Sequence, residues 1–316
     1  MFHGNISPEI AKGIRILRQR IKIDEPILDK TLNIATWNIR EFGKKARYQR
    51  SIHYIAEILS RFDLIAIVEL RENLEDFNKV MDILGPYWRT IFSDIAMDLG
   101  GNKERIAYLY DKRVLTFTGL AAEADPIRKK NKDGEYVPTI TWWRSPYLAS
   151  FRAGKFDFVV LTAHIRWGKN ENDRKQALEN LADWIEKRRK SEHVVNKDLI
   201  VMGDFNIPKT DDKLYKAITK HGLEMPNSLR GKHGSNLAKN KRYDQILYFR
   251  NQSKPFNDKG GIVDFYQDDW RALYPEEEFS SMTKNKFTYQ ISDHLPLWVQ
   301  LDVWSDDFEI DKLISG

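Results

Sequence analysis

An α/β protein is what this sequence predicts, on three observations. Short apolar runs recur along the chain, and two of them, Leu64-Ile65-Ala66-Ile67-Val68 and Leu199-Ile200-Val201-Met202, have no polar position at all. Runs of that length and composition suit strands covered on both faces. Between such runs lie stretches with helical spacing, joined by polar loops. The 316 residues are 41% hydrophobic and 31% charged, the make-up of a globular chain with a substantial core. That length could hold two average domains or one large sandwich. With no internal repeat or low-complexity tract, one domain with an N-terminal extension is the simplest account.

The elements follow in order. Residues 1–30 read as an added helix: Ser7 is a good N-cap, Pro8 suits the first helical position, and Ile10, Ile14, Leu17 and Ile21 recur at helical spacing before Pro26 interrupts. Its apolar stripe has two readings, packing on the core or docking onto a partner protein. The expected strands are 32–37, 63–68, 105–110, 147–151, 156–163, 198–203, 243–249 and 296–301, and the expected helices 47–60, 73–83, 172–190 and 211–221. Segment 122–138, with Pro126, Gly134, Pro138 and many charges, reads as a surface excursion, and so does the polar, basic segment 227–241. The main domain is placed at 31–304 and a tail at 305–316.

The formal charge of +5 and a pI near 9.0 suit an anionic partner such as nucleic acid. Arg128-Lys129-Lys130 with Lys132, and Lys187-Arg188-Arg189-Lys190, read first as solvated faces. Lys239 with Lys241-Arg242 precedes a strand and has a better claim to line a substrate groove. There are no cysteines, which removes disulfides and thiolate metal sites and fits a reducing compartment. The N-terminus lacks the apolar core of a signal peptide, and no apolar run approaches the roughly 18 residues of a membrane span. A cytoplasmic protein that does not enter membranes is expected.

Polar groups then recur at strand ends. Strand 32–37 runs into Asn38-Ile39-Arg40, 63–68 into Glu69-Leu70-Arg71, 156–163 into His164, and 198–203 into Asp204-Phe205-Asn206; Asp244 opens 243–249, and Ser292-Asp293-His294 precedes the last strand. Each has an ordinary reading as a turn or cap residue. Together, if the strands share one sheet end, they converge. Hydrolysing a phosphodiester needs a positive charge to offset that on the non-bridging oxygens, a base for water and an acid or cation for the leaving oxygen. Magnesium supplies the first from a few carboxylate and amide oxygens.

In these motifs the chain resembles the endonuclease/exonuclease/phosphatase superfamily. The segments ATWNIREFG (35–43), FDLIAIVELRE (62–72), LTAHIRWG (161–168), LIVMGDFNIP (199–208), KRYDQILY (241–248) and ISDHLPLW (291–298) come in the family's order and span 32–301. Within it the pattern is most similar to deoxyribonuclease I: Glu69-Leu70-Arg71, Lys103-Glu104-Arg105 and Arg144-Ser145-Pro146 resemble its metal-binding, histidine-orienting and phosphate-contacting segments. The resemblance implies a four-layer αββα sandwich of two packed mixed β-sheets, with 31–304 as the catalytic domain. The chain departs from the family at Val68, where many members carry Gln, and at Gln245, where deoxyribonucleases and inositol phosphatases carry Arg.

The resemblance also implies roles. Glu69, Asn38 and Asp293 would hold the metal, magnesium first, with manganese or calcium as alternatives. His294, oriented by Asp244, would act on the attacking water, and His164, oriented by Glu104, would protonate the leaving oxygen. Asp204 and Asn206 would position phosphate or water, and Arg40, Arg71 and Arg144 would contact substrate. Trp37, Trp142, Trp143 and Trp167 lie beside these motifs, either as core or as stacking surfaces for a splayed base. The function expected is a magnesium-dependent DNA endonuclease leaving 5′-phosphate and 3′-hydroxyl. Its rivals are RNA, abasic DNA, or a small phosphoester such as an inositol phosphate or phospholipid head group. A non-catalytic binding module fits poorly with every metal and histidine position filled.

Overall fold

The computed structural model describes residues 1–316 except 29, 98–101, 232–233, 250–255, 304–309, 311–312 and 315–316. Ser7 Oγ accepts from Ile10 N at 3.3 Å and Pro8 follows, so the chain enters helix α1 (Pro8–Arg20) at once. Then come β1 (Thr31–Phe42), α2 (Gln49–Leu59), β2 (Leu64–Leu70), α3 (Glu75–Leu84), β3 (Trp88–Phe92), β4 (Arg105–Asp111) and β5 (Thr116–Glu123). A small hairpin, β6 (Arg128–Lys130) and β7 (Tyr136–Pro138), precedes β8 (Tyr147–Ala153), β9 (Phe156–His164), α4 (Glu171–Lys190) and β10 (Leu199–Asp204). The chain finishes with α5 (Lys213–Thr219), β11 (Leu223–Glu224), β12 (Asp244–Phe249), β13 (Phe256–Ile262), α6 (Lys284–Gln290) and β14 (Leu297–Asp302).

Among the described residues the strands form two six-stranded mixed sheets, ordered β13-β14-β1-β2-β4-β3 and β11-β12-β10-β9-β8-β5. Each has one parallel pair at its centre, β1 with β2 and β10 with β9. The doubly apolar runs are explained by what covers them. In β2, Leu64, Ala66 and Val68 face the second sheet, while Ile65 and Ile67 face α1, α2 and α3 in a separate core. The inner face carries aromatic packing: Tyr108 stacks on Tyr147 at 5.6 Å, and its hydroxyl donates across the sheets to Tyr147 O at 2.7 Å. Helices α4 and α5 cover the outside of the second sheet through residues such as Leu178, Leu181, Leu214 and Ile218. The architecture is the αββα sandwich.

Several expectations need correction. The stripe Ile10, Ile14, Leu17 and Ile21 is buried in the outer core of the first sheet, and a Cβ at Gly13 would lie 1.5 Å from Tyr54 Oη of α2. Of the two readings of this stripe, packing on the core is the one the structure bears out, and the apolar face is not available to a partner protein. The segment before it is tied down as well: His3 Nδ1 lies 3.0 Å from His53 Nδ1, and His3 Nε2 lies 3.0 Å from the buried Glu57. Segment 227–241 is not all surface, since Ser235 and Leu237 are buried against the site. Nor does its basic cluster line the cleft. Arg242 is buried, donating to Leu229 O and Gly231 O, and Lys239 pairs with Asp264 and Asp268. The run 187–190 forms the last turn of α4, where cations oppose the helix dipole. His233 and most of the 305–316 tail lie outside the described residues.

Candidate active site

All the strand ends singled out by sequence meet at one edge of the sandwich, and the side chains bond across the gap between the sheets. From the first sheet come Asn38 on β1, Glu69 on β2, Glu104 just before β4, and Asp293-His294 before β14. The second supplies Arg144 before β8, His164 ending β9, Asp204 ending β10 and Asp244 opening β12. His164 Nδ1 meets Glu104 Oε2 at 2.9 Å, and His294 Nδ1 meets Asp244 Oδ2 at 2.7 Å. Asn38 Nδ2 donates to Glu69 Oε1 at 2.9 Å and to Asp204 Oδ2 at 3.0 Å.

Local backbone makes these placements. β1 does not stop at Trp37 but continues to Phe42, and its register with β2 shifts between Asn38 and Phe42. The bulge re-aims Glu69, whose φ is 63°; Glu41 (φ 43°) and Asn206 (φ 52°) also occupy the left-handed region. Such conformations persist in non-glycine residues only where the surroundings enforce them. Glu41 N donates to Glu69 Oε2 at 2.8 Å, and Asn206 N to Asp204 Oδ1 at 2.9 Å. Ser292 Oγ donates to Asn38 O at 2.6 Å and accepts from His294 N at 3.0 Å, and Ser235 Oγ accepts from Asp244 N at 3.1 Å. Trp37 is core, with its Nε1 donating to His294 O at 2.9 Å.

The charges are set by these contacts. Burial alone would raise the Glu104 carboxyl, yet the hydrogen bond from His164 with Arg144 and Arg71 nearby holds it down at about 2. Burial and Arg144 press His164 downward, and Glu104 and Asp204 outweigh them, so its proton is held above the usual histidine range. His294 is buried too, but Asp244, Asp204 and Asp293 raise it well above that range. Each Nδ1 is committed to a carboxylate, which leaves Nε2 to face the cleft. These Nε2 atoms lie 3.7 Å (His164) and 3.9 Å (His294) from the same atom, Asp204 Oδ2.

The cleft itself is about 530 Å³ and is lined by Glu69, Asp204, Asn206, His164 and His294. Arg71 and Arg144 line it too: Arg71 spans to Glu41 Oε1 at 2.9 Å, and Arg144 Nη2 donates to Glu104 Oε1 at 3.0 Å. Arg40 stands apart, outside the lining, with its guanidinium over the Tyr289 ring at 3.8 Å and 3.9 Å from Asp293 Oδ2. Arg166, Trp167 and Tyr243 also line the cleft; sequence had offered Trp167 as core or a stacking surface and had given Arg166 and Tyr243 no role. All three sit inside quoted motifs, Arg166 and Trp167 in 161–168 and Tyr243 in 241–248, and their places close after His164 and just before Asp244 are the signal that could have found them.

The donor set suits a hard cation. Carboxylate oxygens only accept, so the pair Glu69 and Asp204 fixes the Asn38 amide with Nδ2 between them. That leaves the buried Asn38 Oδ1 with no protein partner. Burial, and after it the Glu69 charge, raise the Asp293 carboxyl against His294 and Arg40, a crowding of acids that a cation relieves. Asp204, Asp244 and His294 offer a second group of donor atoms within 4.8 Å of one another.

The profile of the Endonuclease/Exonuclease/phosphatase family matches residues 35–294, which takes in every one of these groups. The chain belongs to that family. It is accordingly a phosphoester hydrolase of the family, whose enzymes generally depend on a divalent metal. A deoxyribonuclease of Thioalkalivibrio sp. (strain K90mix) is 26% identical over 285 residues, covering 85% of this chain and 70% of the relative. The fold is that of the human Nocturnin catalytic domain with bound sulfate (TM-score 0.59, 15% identity, 90% of this chain and 98% of that one). D. rerio TDP2 complexed with single strand DNA product shares it (0.58, 14%, 87% and 100%), as does a mannosyl-6-phosphatase of Bacteroides thetaiotaomicron (0.52, 15%, 85% and 99%). No helix among the described residues is long and apolar enough to cross a membrane.

Proposed function

We propose that the chain is a magnesium-dependent nuclease that hydrolyses DNA phosphodiesters to a 5′-phosphate and a 3′-hydroxyl. One observation carries this reading: two carboxylate-backed imidazoles, from different sheets, turn their Nε2 atoms to one oxygen of Asp204. That is the arrangement an acid and a base need on opposite sides of one phosphate. Held by Glu69, Asn38 and Asp293, a magnesium ion (manganese and calcium are the alternatives) would supply positive charge to the non-bridging oxygens. His164, kept protonated by Glu104, gives its Nε2 proton to the leaving 3′-oxygen. His294, oriented by Asp244 and in its neutral form, which a cation beside Asp204 and Asp293 would favour, takes a proton from water at Nε2. Asp204 and Asn206 orient the water and phosphate, and Arg71 and Arg144 clamp the phosphates, with Arg40 on the Asp293 side. DNA is favoured over other phosphoesters by the deoxyribonuclease relative and the net positive charge.

The test is nicking of supercoiled plasmid by purified protein in magnesium. Nicked and then linear product is expected, abolished by EDTA and lowered on the order of 10²–10⁴-fold by His294→Ala. Intact plasmid beside hydrolysis of bis(4-nitrophenyl) phosphate would overturn the DNA reading and leave a phosphodiesterase for another ester.

A further inference from the structure

Beside the cleft lies a second, more enclosed cavity of about 210 Å³. The two share a wall made of Glu69, Glu104, Arg144 and His164. Residues 95–97, after β3, and Trp142 and Trp143, ahead of β8, form much of the rest. We propose that this cavity is a nucleobase pocket, receiving the base of the nucleotide whose 3′-oxygen leaves. The proposal rests on the reading of the cleft as a nucleic-acid phosphodiesterase and adds to it where the substrate strand goes.

Position, shape and charge agree on that occupant. His164 is part of the wall that the cavity shares with the cleft, so the nucleoside bearing the oxygen that His164 protonates lies beside the cavity. Its walls carry two indoles. Trp142 is fixed through Nε1 to Ala124 O at 2.9 Å. Trp143 stays 51% exposed, with the Arg166 guanidinium 4.0 Å from its ring centre. Since Arg166 lines the cleft and Trp143 lines the cavity, this stack stands on the boundary between them. An indole held in that way offers a planar base a stacking surface.

The polar lining excludes a second phosphate. Glu69, Asp94, Glu104 and Glu123 set four carboxylates against the guanidiniums of Arg105 and Arg144 and the protonated His164, a balance still on the acidic side that disfavours an anion and accepts amino hydrogens. Unpaired donors remain among the lining residues: the Arg144 side chain is only 9% exposed and its Nη1 has no protein hydrogen-bond partner, and neither has Arg105 Nε. A base carbonyl or ring nitrogen would satisfy such a donor. A base can enter only by leaving its stack, so the strand must be unpaired or unstacked at that nucleotide.

The experiment uses the magnesium-loaded enzyme and single-stranded oligonucleotides with one cleavable phosphodiester. The nucleotide on its 3′-oxygen side carries either adenine or a tetrahydrofuran abasic residue. The wild type should prefer adenine by about tenfold or more in kcat/KM, Trp143→Ala should bring that ratio near one, and Trp143→Phe should keep most of it. The ratio is taken within each protein, so damage to folding cancels. Equal cleavage of both substrates by the wild type, or a ratio that survives Trp143→Ala, would overturn the pocket while leaving the nuclease in place. Cleavage of neither would overturn the nucleic-acid reading and the pocket with it.

Discussion

Glu104 is buried beside His164, Arg144 and Arg71, and its charge reaches the imidazole through a 2.9 Å hydrogen bond. The folded protein therefore holds His164 protonated to higher pH than a free histidine, because Glu104 and Asp204 outweigh burial and Arg144. As the acid, His164 is competent below its pKa and lost above it. Glu104→Gln keeps the shape but removes the charge, so the alkaline limb of the kcat/KM profile should move to lower pH. A limb that stays in place would show that Glu104 does not tune this acid. Asn38, Glu69, His164, Asp204, Asp244 and His294 were legible in the sequence because each sits in a short motif at a strand end. Glu41 and Ser235 were not: they act through a backbone N–H at positive φ and a hydroxyl on a folded-back loop, and no residue pattern announces either.

At the level of strands, the backbone of β9 at Ala163 closely approaches Gly203 of β10. The φ of Gly203 is 137°, and a Cβ there would lie 2.1 Å from Ala163 O. The contact leaves no flexible group to yield, so Gly203→Ala must push the strands apart one residue from both His164 and Asp204. We expect a loss of about 1–3 kcal/mol in stability by urea unfolding and a drop in kcat larger than that loss explains; unchanged kcat would mean that the strand ends tolerate displacement. The central strands could be read from sequence because burial on both faces leaves long apolar runs. The edge strands could not. β5 (TFTGLAAE) is mostly exposed, and β13 (FNDKGGI) carries paired glycines, so both look like loop until a neighbouring strand supplies the hydrogen bonds. Helix α6, seven residues long, was too short to show a period.

For the molecule as a whole, the N-terminal segment is fastened far from the cleft by His3, His53 and Glu57. Burial, and then His3, depress His53 to about 4. The unfolded chain takes up that proton near pH 6.5, which the folded chain refuses until about 4, so this residue disfavours the fold progressively as pH falls through that window. Relative to His53→Gln, the wild type should lose stability on the order of 2 kcal/mol between pH 6.5 and 4, read from urea midpoints. Parallel curves would mean that His53 takes up its proton over the same pH range in the folded and unfolded chains. The pairs Glu104–His164, Asp244–His294 and Asn38–Asp204 each join one sheet to the other. Neither sheet alone pairs either imidazole with its carboxylate. A half-made copy, with one layer formed and the other still fluid, would lack both carboxylate-backed imidazoles, so the proposed cutting would wait until the two halves had closed on each other.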